Sequence, residues 1–129
     1  MSHTVKVAVQ FKTKELTQLE RALTRLGWSL AHDASARGYN GQSAKYQHVA
    51  VNPDKTYSGY DVGIKEEGEN LGFYTDFYGG SVARTLGEGF TKLKQEFAAA
   101  VIEDEYPNAT INRSTDASGN ILLEVEQWG

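Results

Sequence analysis

The strongest constraint on this chain's fold is a change of hydrophobic period near residue 12. Val5, Val7, Val9 and Phe11 alternate with Thr4, Lys6, Ala8 and Gln10, the two-residue period of a strand with one buried face. Directly afterwards Leu16, Leu19, Leu23 and Leu26 recur at spacings of three and four, which sets all four on one stripe of a helix. Thr13 is placed to cap the helix start, and Gly27 suits the left-handed residue that follows a helix end. A strand handed straight to an amphipathic helix calls for a sheet with helices laid against it, because neither apolar face can be buried alone.

The rest of the chain repeats these two periods. Residues 28–32, WSLAH, read as a short second strand, and 36–42, ARGYNGQ, as a glycine-rich loop leading to a third strand over 44–52. After a turn-rich connection at 53–59, Tyr60, Val62 and Ile64 alternate inward, EEGEN forms a hairpin loop, and LGFYTDF buries Leu71, Phe73 and Thr75. Such short connections join antiparallel neighbours, since parallel strands need long crossovers. Leu86, Phe90, Leu93, Phe97 and Val101 form a second helical stripe. Gly87 and Gly89 each cost about 1 kcal/mol against alanine inside a helix, which puts the firm start near Phe90; Pro107 ends the helix. NATINRST and NILLEVEQW then pair around DASG, where Gly119 suits positive φ. The expectation is one α+β domain over residues 1–129, ordered β-α-β-β-β-β-α-β-β. Two amphipathic helices pack on one face of a mostly antiparallel sheet.

Composition removes several kinds of chemistry. The chain has no cysteine, so disulfides, thiolate catalysis and cysteine-held metals are excluded. No apolar run approaches the roughly 20 residues of a spanning helix, and MSHTVKVAVQF lacks the continuous apolar core of a signal peptide. A cytoplasmic protein with no membrane partner is expected. GYNG lacks the lysine and helix opening of a P-loop, and no nucleophile-elbow pattern occurs. Glu66-Glu67 and Glu103-Asp104-Glu105 read as solvated charge, although the second run opposes the helix macrodipole and invites a nearby cation. His3, His32 and His48 stand far apart without metal-ligand spacing, so no metal ligand, cofactor or catalytic residue is assigned. A site assembled in space from His32, His48 and an aspartate, Asp33 or Asp76, is the alternative, as a metal-dependent enzyme or metal-binding protein.

The segment that best suits binding is Arg37-Gly38-Tyr39-Asn40-Gly41-Gln42. Arg37 either reaches outward to a partner or anionic ligand, or turns inward to pair with Asp61 or Asp76; arginine–carboxylate geometry serves both. Tyr74, Asp76 and Tyr78 share the strand face opposite Phe73 and are the supporting candidates. Exposed rings on a sheet face fit a protein partner or a homo-oligomer interface. They also permit stacking of a single-stranded nucleic acid beside Arg37, Lys45 and Lys65. The net charge of −4 argues against nucleic acid.

RGYNGQSAKYQHVAV, YDVGIKEEGENLGFYTDF and GNILLEVEQWG together resemble the ycf thirty-five family, a domain of unknown function found in cyanobacteria, algal plastids, other bacteria and phages. The positions that carry the resemblance are Arg37, Gly38, Tyr39 and Gln42; Tyr60, Asp61 and Gly63; Asp76; and Gly119, Ile121, Leu123 and Trp128. The chain departs from the family pattern where LGEGFTKLKQEF replaces a Tyr-Ala-Tyr-His-like helix start, where FYGG replaces a tryptophan-bearing segment, and where Leu122 and Glu124 stand in a last strand that usually holds arginine. Any family activity needing those groups is lost or altered here. The resemblance implies an accessory protein. Together with the residues, it leads to the expectation of a small soluble adaptor that binds a protein or small ligand without catalysis.

Overall fold

The computed structural model of the protein describes residues 2–7, 10–77 and 80–127. Four of the positions singled out above, Ala8, Val9, Tyr78 and Trp128, lie outside them. The first strand, β1, is Ser2–Val7. A single turn of 3-10 helix over Thr13–Glu15 leads into α1, Leu16–Arg25, with Leu19 and Leu23 fully buried. Gly27 takes φ +83° as its place after the helix requires. Its N–H donates to the Thr24 carbonyl while that of Trp28 donates to the Leu23 carbonyl, the paired bonds that close a helix through a left-handed residue. Thr13 does not cap the helix. Because it sits one turn early, its hydroxyl donates instead to the Gly68 carbonyl at 3.0 Å.

The second strand, β2, runs Ser29–Arg37, five residues past the expected end, so Arg37 closes a strand and does not open a loop. A 3-10 turn over Tyr39–Gly41 connects it to β3, Ser43–Val51. β4, Val62–Glu67, and β5, Asn70–Tyr74, form the expected hairpin through Gly68 and Glu69. The second helical stripe is broken. Leu86 ends a short helix, α2, Ser81–Leu86, and α3, Thr91–Glu105, starts afresh after Gly87 and a 3-10 turn. The last hairpin pairs β6, Ala109–Thr115, with β7, Ile121–Gln127.

The architecture is α+β with antiparallel pairing throughout the described strands. The strands divide into two sheets, β2-β3-β4-β5 and β1-β7-β6, where the sequence reading had one. The physical cause is the path of the first segment. Its residues 2–7 pair with β7, whereas Lys12 bridges Asn70 and the Phe11 carbonyl accepts from the Leu71 N–H at 2.8 Å. One stretch of chain thus stitches the edge of one sheet to the edge of the other. Helices α1 and α3 lie side by side, and Leu19, Leu23, Leu93 and Phe97 pack with Ala50, Val62, Ile64 and Leu71. Further along α3, Ala98 and Ala99 meet Ile111, Ile121 and Leu123. Phe11 fills the seam, stacked on Phe73 with ring centres 4.4 Å apart and tilted against Phe97 at 4.9 Å.

The acidic run at the end of α3 is met by the cations its position invited. Arg21 pairs with Asp104 at 3.0 Å, Arg25 with Glu103, and Arg113 of β6 with Glu103 at 3.5 Å and with Glu96, two turns earlier, at 3.2 Å. These partly exposed pairs orient the helices more than they stabilise them. Among the described residues, no helix is long and apolar enough to cross a membrane.

Candidate functional site

The site grows from the end of β2. Arg37 turns inward, and its carboxylate partner is Asp61, whose side chain is only 4% exposed. One carboxylate oxygen accepts from the Arg37 backbone N–H at 2.8 Å and from Nε at 3.1 Å. The other accepts from Nη2 at 3.0 Å and from the Asn52 N–H at 2.9 Å. Nη2 also donates to the carbonyls of Asn52 and Asp54. The guanidinium is therefore a brace that fixes three segments to one another. Among the described residues Nη1 makes no hydrogen bond, and the arginine side chain as a whole remains 39% exposed.

A second tier of polar groups extends the brace. Asn52, fully buried, donates through Nδ2 to the Tyr60 carbonyl and to Ser81 Oγ, while its Oδ1 accepts from the Asp54 N–H. Ser81 Oγ in turn donates to Asp54 at 2.7 Å, and Thr75 Oγ1 donates to the Asp61 carbonyl at 2.9 Å. The end of β3, the 53–59 turn, the residues after β5 and the start of α2 are thereby tied to Arg37. Sequence reasoning missed Asn52, Asp54 and Ser81. Asn-Pro-Asp at 52–54 does signal a turn, but nothing in it names Ser81 or Asp61 as partners.

Hydrogen bonds from the Thr56 hydroxyl and amide, with one from Ser81, hold the Asp54 carboxyl down at about 2. An unfolded aspartate titrates near 3.9, so folding favours the ionised form. The stabilisation is present above that unfolded value and is lost as pH falls through about 2. Thermal melts from about pH 5 to about pH 2 should therefore show a steeper acid loss in the wild type than in Asp54→Asn. Parallel curves for the two proteins would remove Asp54 from the acid response.

The RGYNGQ turn closes over this brace. The Gly38 N–H donates to the Gln42 carbonyl at 2.7 Å, and that of Gln42 donates to the Tyr39 carbonyl at 3.2 Å. Between the turn and the end of β5 lies an open groove of about 480 Å³, lined by Arg37, Tyr39, Gln42, Tyr46, Tyr74 and Asp76 among others. Gly38 and Asp61 also border it; Gly41 belongs to the turn but, among the described residues, not to the lining. Asp76, the other carboxylate expected beside Arg37, lines the groove instead of pairing with that arginine. Tyr39 is 48% exposed and meets the buried Tyr60 edge-on, with ring centres 6.5 Å apart.

Tyr46 and Tyr74 form the opposite wall. Their rings stack with centres 6.0 Å apart, and the Lys65 ammonium sits 4.9 Å from the Tyr74 centre and 5.6 Å from that of Tyr46. The Tyr74 hydroxyl donates to Glu67, which pushes its pKa up. The wall needs Gly63, which faces Tyr74 across the β4–β5 pair, because a Cβ at that position would overlap the Tyr46 ring. Regular alternation would put Tyr46 on the face of His48 and Ile64, not over Gly63. It reaches Gly63 because the β3–β4 pairing stops at His48↔Ile64. Beyond that point the Gln47 side chain replaces the ladder, its Oε1 accepting from the Glu66 N–H at 2.6 Å. On the neighbouring strand Asp33 takes φ +46°, between the paired residues His32 and Ala34.

His32 and His48 come together. They stand directly opposite in β2 and β3, with their Nδ1 atoms 2.8 Å apart. Neither Asp33 nor Asp76 joins them: among the described residues, no group of three or more histidine, aspartate or glutamate side chains is placed to share a metal ion. The three-ligand version of the metal reading has no support in this geometry. Compared with known proteins, the chain matches no family model, no curated protein and no solved structure.

Proposed function

We propose that the chain is a small cytoplasmic accessory domain that binds a segment of a protein partner, without catalysis, in the groove between the RGYNGQ turn and the Tyr46–Tyr74 wall. The supporting observation is the groove's construction: two exposed tyrosines, Tyr39 at 48% and Tyr74 at 40%, flank a floor braced by Arg37 and Asp61. Tyrosine supplies large contact area with little side-chain entropy to lose, which is why it anchors protein interfaces. A turn held by an internal arginine is already ordered, so binding costs less in conformational freedom. In this proposal Arg37 positions the turn, and Tyr39, Gln42, Tyr74 and Asp76 meet the partner. The resemblance to the ycf thirty-five family supports the accessory role and is proposed with it.

The same wall weighs against single-stranded nucleic acid. Lys65 already covers both rings, and Glu67 and Asp76 put negative charge beside them. Affinity capture from the native cell tests the proposal. Tyr39→Ala and Tyr74→Ala should each weaken the captured partner's binding by on the order of tenfold or more. Asn112→Ala on β6, away from the groove, should leave it unchanged. A partner retained equally by both tyrosine variants, or found only as a second copy of this chain by size-exclusion chromatography, would overturn it.

A further inference from the structure

We infer that His32 and His48 form a two-histidine site for a divalent transition metal of the zinc type, separate from the groove. The first support is register. Pairing of Ala31 with Val49 and of Ala34 with Tyr46 brackets the two histidines and fixes their backbones face to face. The second is convergence. Both Nδ1 atoms point at one spot, 2.8 Å from each other, with the rings edge to face. A tetrahedral zinc with bonds of 2.0–2.1 Å holds two nitrogens roughly 3.3 Å apart. The pair must open by about half an ångström to admit it, and His32, which is exposed, has the freedom to turn.

The third support is the far side of the His48 ring. Its Nε2 is buried and, among the described residues, has no hydrogen-bond partner, yet the Glu66 carboxylate stands 3.9 Å away. Glu66 is held there by Gln47, which donates to its carboxylate at 3.3 Å and accepts from its backbone N–H. A metal bound at Nδ1 puts the imidazole proton on Nε2, facing a carboxylate that must close in from 3.9 Å to accept it. This histidine–carboxylate arrangement is the one that orients metal-bound imidazoles. Neutral imidazoles favour zinc, copper and nickel over magnesium and calcium. With two protein ligands the remaining positions belong to water, so exchange at the site would be fast.

The test uses the full chain without an affinity tag, titrated with Zn²⁺ alone in a non-coordinating buffer. Calorimetry reads stoichiometry, and imidazole NMR resonances read location. One Zn²⁺ per chain is expected, moving the resonances of both His32 and His48. His32→Gln should weaken binding at least tenfold and Glu66→Gln by about tenfold, while His3→Gln leaves it unchanged. The resonances of the unsubstituted protein keep the test decisive should a variant fail to fold. The proposal is overturned if roughly millimolar Zn²⁺ leaves both imidazoles unmoved, or if binding survives His32→Gln undiminished.

Discussion

Asp61→Ala should destabilise the protein by about 3–5 kcal/mol, the range for removing one partner of a buried ion pair. The carboxylate accepts four hydrogen bonds, two from Arg37 side-chain nitrogens and two from the backbone N–H groups of Arg37 and Asn52. Alanine leaves both backbone donors without an acceptor beneath the turn, and each such loss costs about 1–3 kcal/mol. The guanidinium loses its counter-charge too, but it is 39% exposed and can turn to water, which pulls the total toward the lower end of the range. Urea denaturation measures the difference. A double replacement of Arg37 and Asp61 by apolar residues should be no milder than Asp61→Ala, because the same two backbone N–H groups lose their acceptor and the Asn52 and Asp54 carbonyls lose their donor. If Asp61→Ala unfolds within about 1 kcal/mol of the wild type, the network is ornament and not brace.

Gly59→Ala should cost about 3 kcal/mol, for a reason of space. A Cβ on Gly59 would stand 2.8 Å from the Asp54 carbonyl carbon and overlap its oxygen. The obstacle is backbone, so no rotamer change relieves it, in contrast to Gly63, where the obstacle is a ring. The 53–59 turn must open, pulling Asp54 away from Thr56 and Ser81 and breaking the bond from the Gly59 N–H to the Thr56 carbonyl. Nη2 of Arg37 loses the Asp54 carbonyl at the same time. A lowered melting temperature should therefore accompany chemical-shift changes at Thr56, Ser81 and Arg37. A variant that melts with the wild type would mean the turn yields without strain.

What the sequence disclosed and what it concealed follow from the range of the interactions involved. The switch from alternation to helical spacing located α1, and Gly27, Gly68 and Gly119 marked the turns, because these are choices made within a few residues. Arg37 and Asp61 were identifiable as a candidate pair, but not the direction the arginine would take. That direction depends on Asn52 and Asp54, whose carbonyls supply the rest of its cradle. The extension of β2 was hidden because Ala34, Ser35 and Ala36 are small and carry no clear hydrophobic period. The split into two sheets was hidden because it depends on which distant strand each part of one segment meets. The histidines are sixteen positions apart, and only the hairpin register makes them opposite neighbours. Tyr46 misleads by parity, since the ladder that sustains alternation stops at His48.

The pairing of β1 with β7 also sets a timetable. Ser2 lies opposite Glu126 and Val7 opposite Ile121, so the first strand has no partner until the last has been synthesised. Joining them closes a loop spanning nearly the whole described chain, an entropic step that slows folding. The four-strand sheet, made of successive hairpins, needs no such wait. During synthesis the groove and its arginine brace can therefore assemble while the N-terminal strand is still unpaired. The helix α3 then supplies the surface on which β6 and β7 settle, and β1 is added last along the edge of β7.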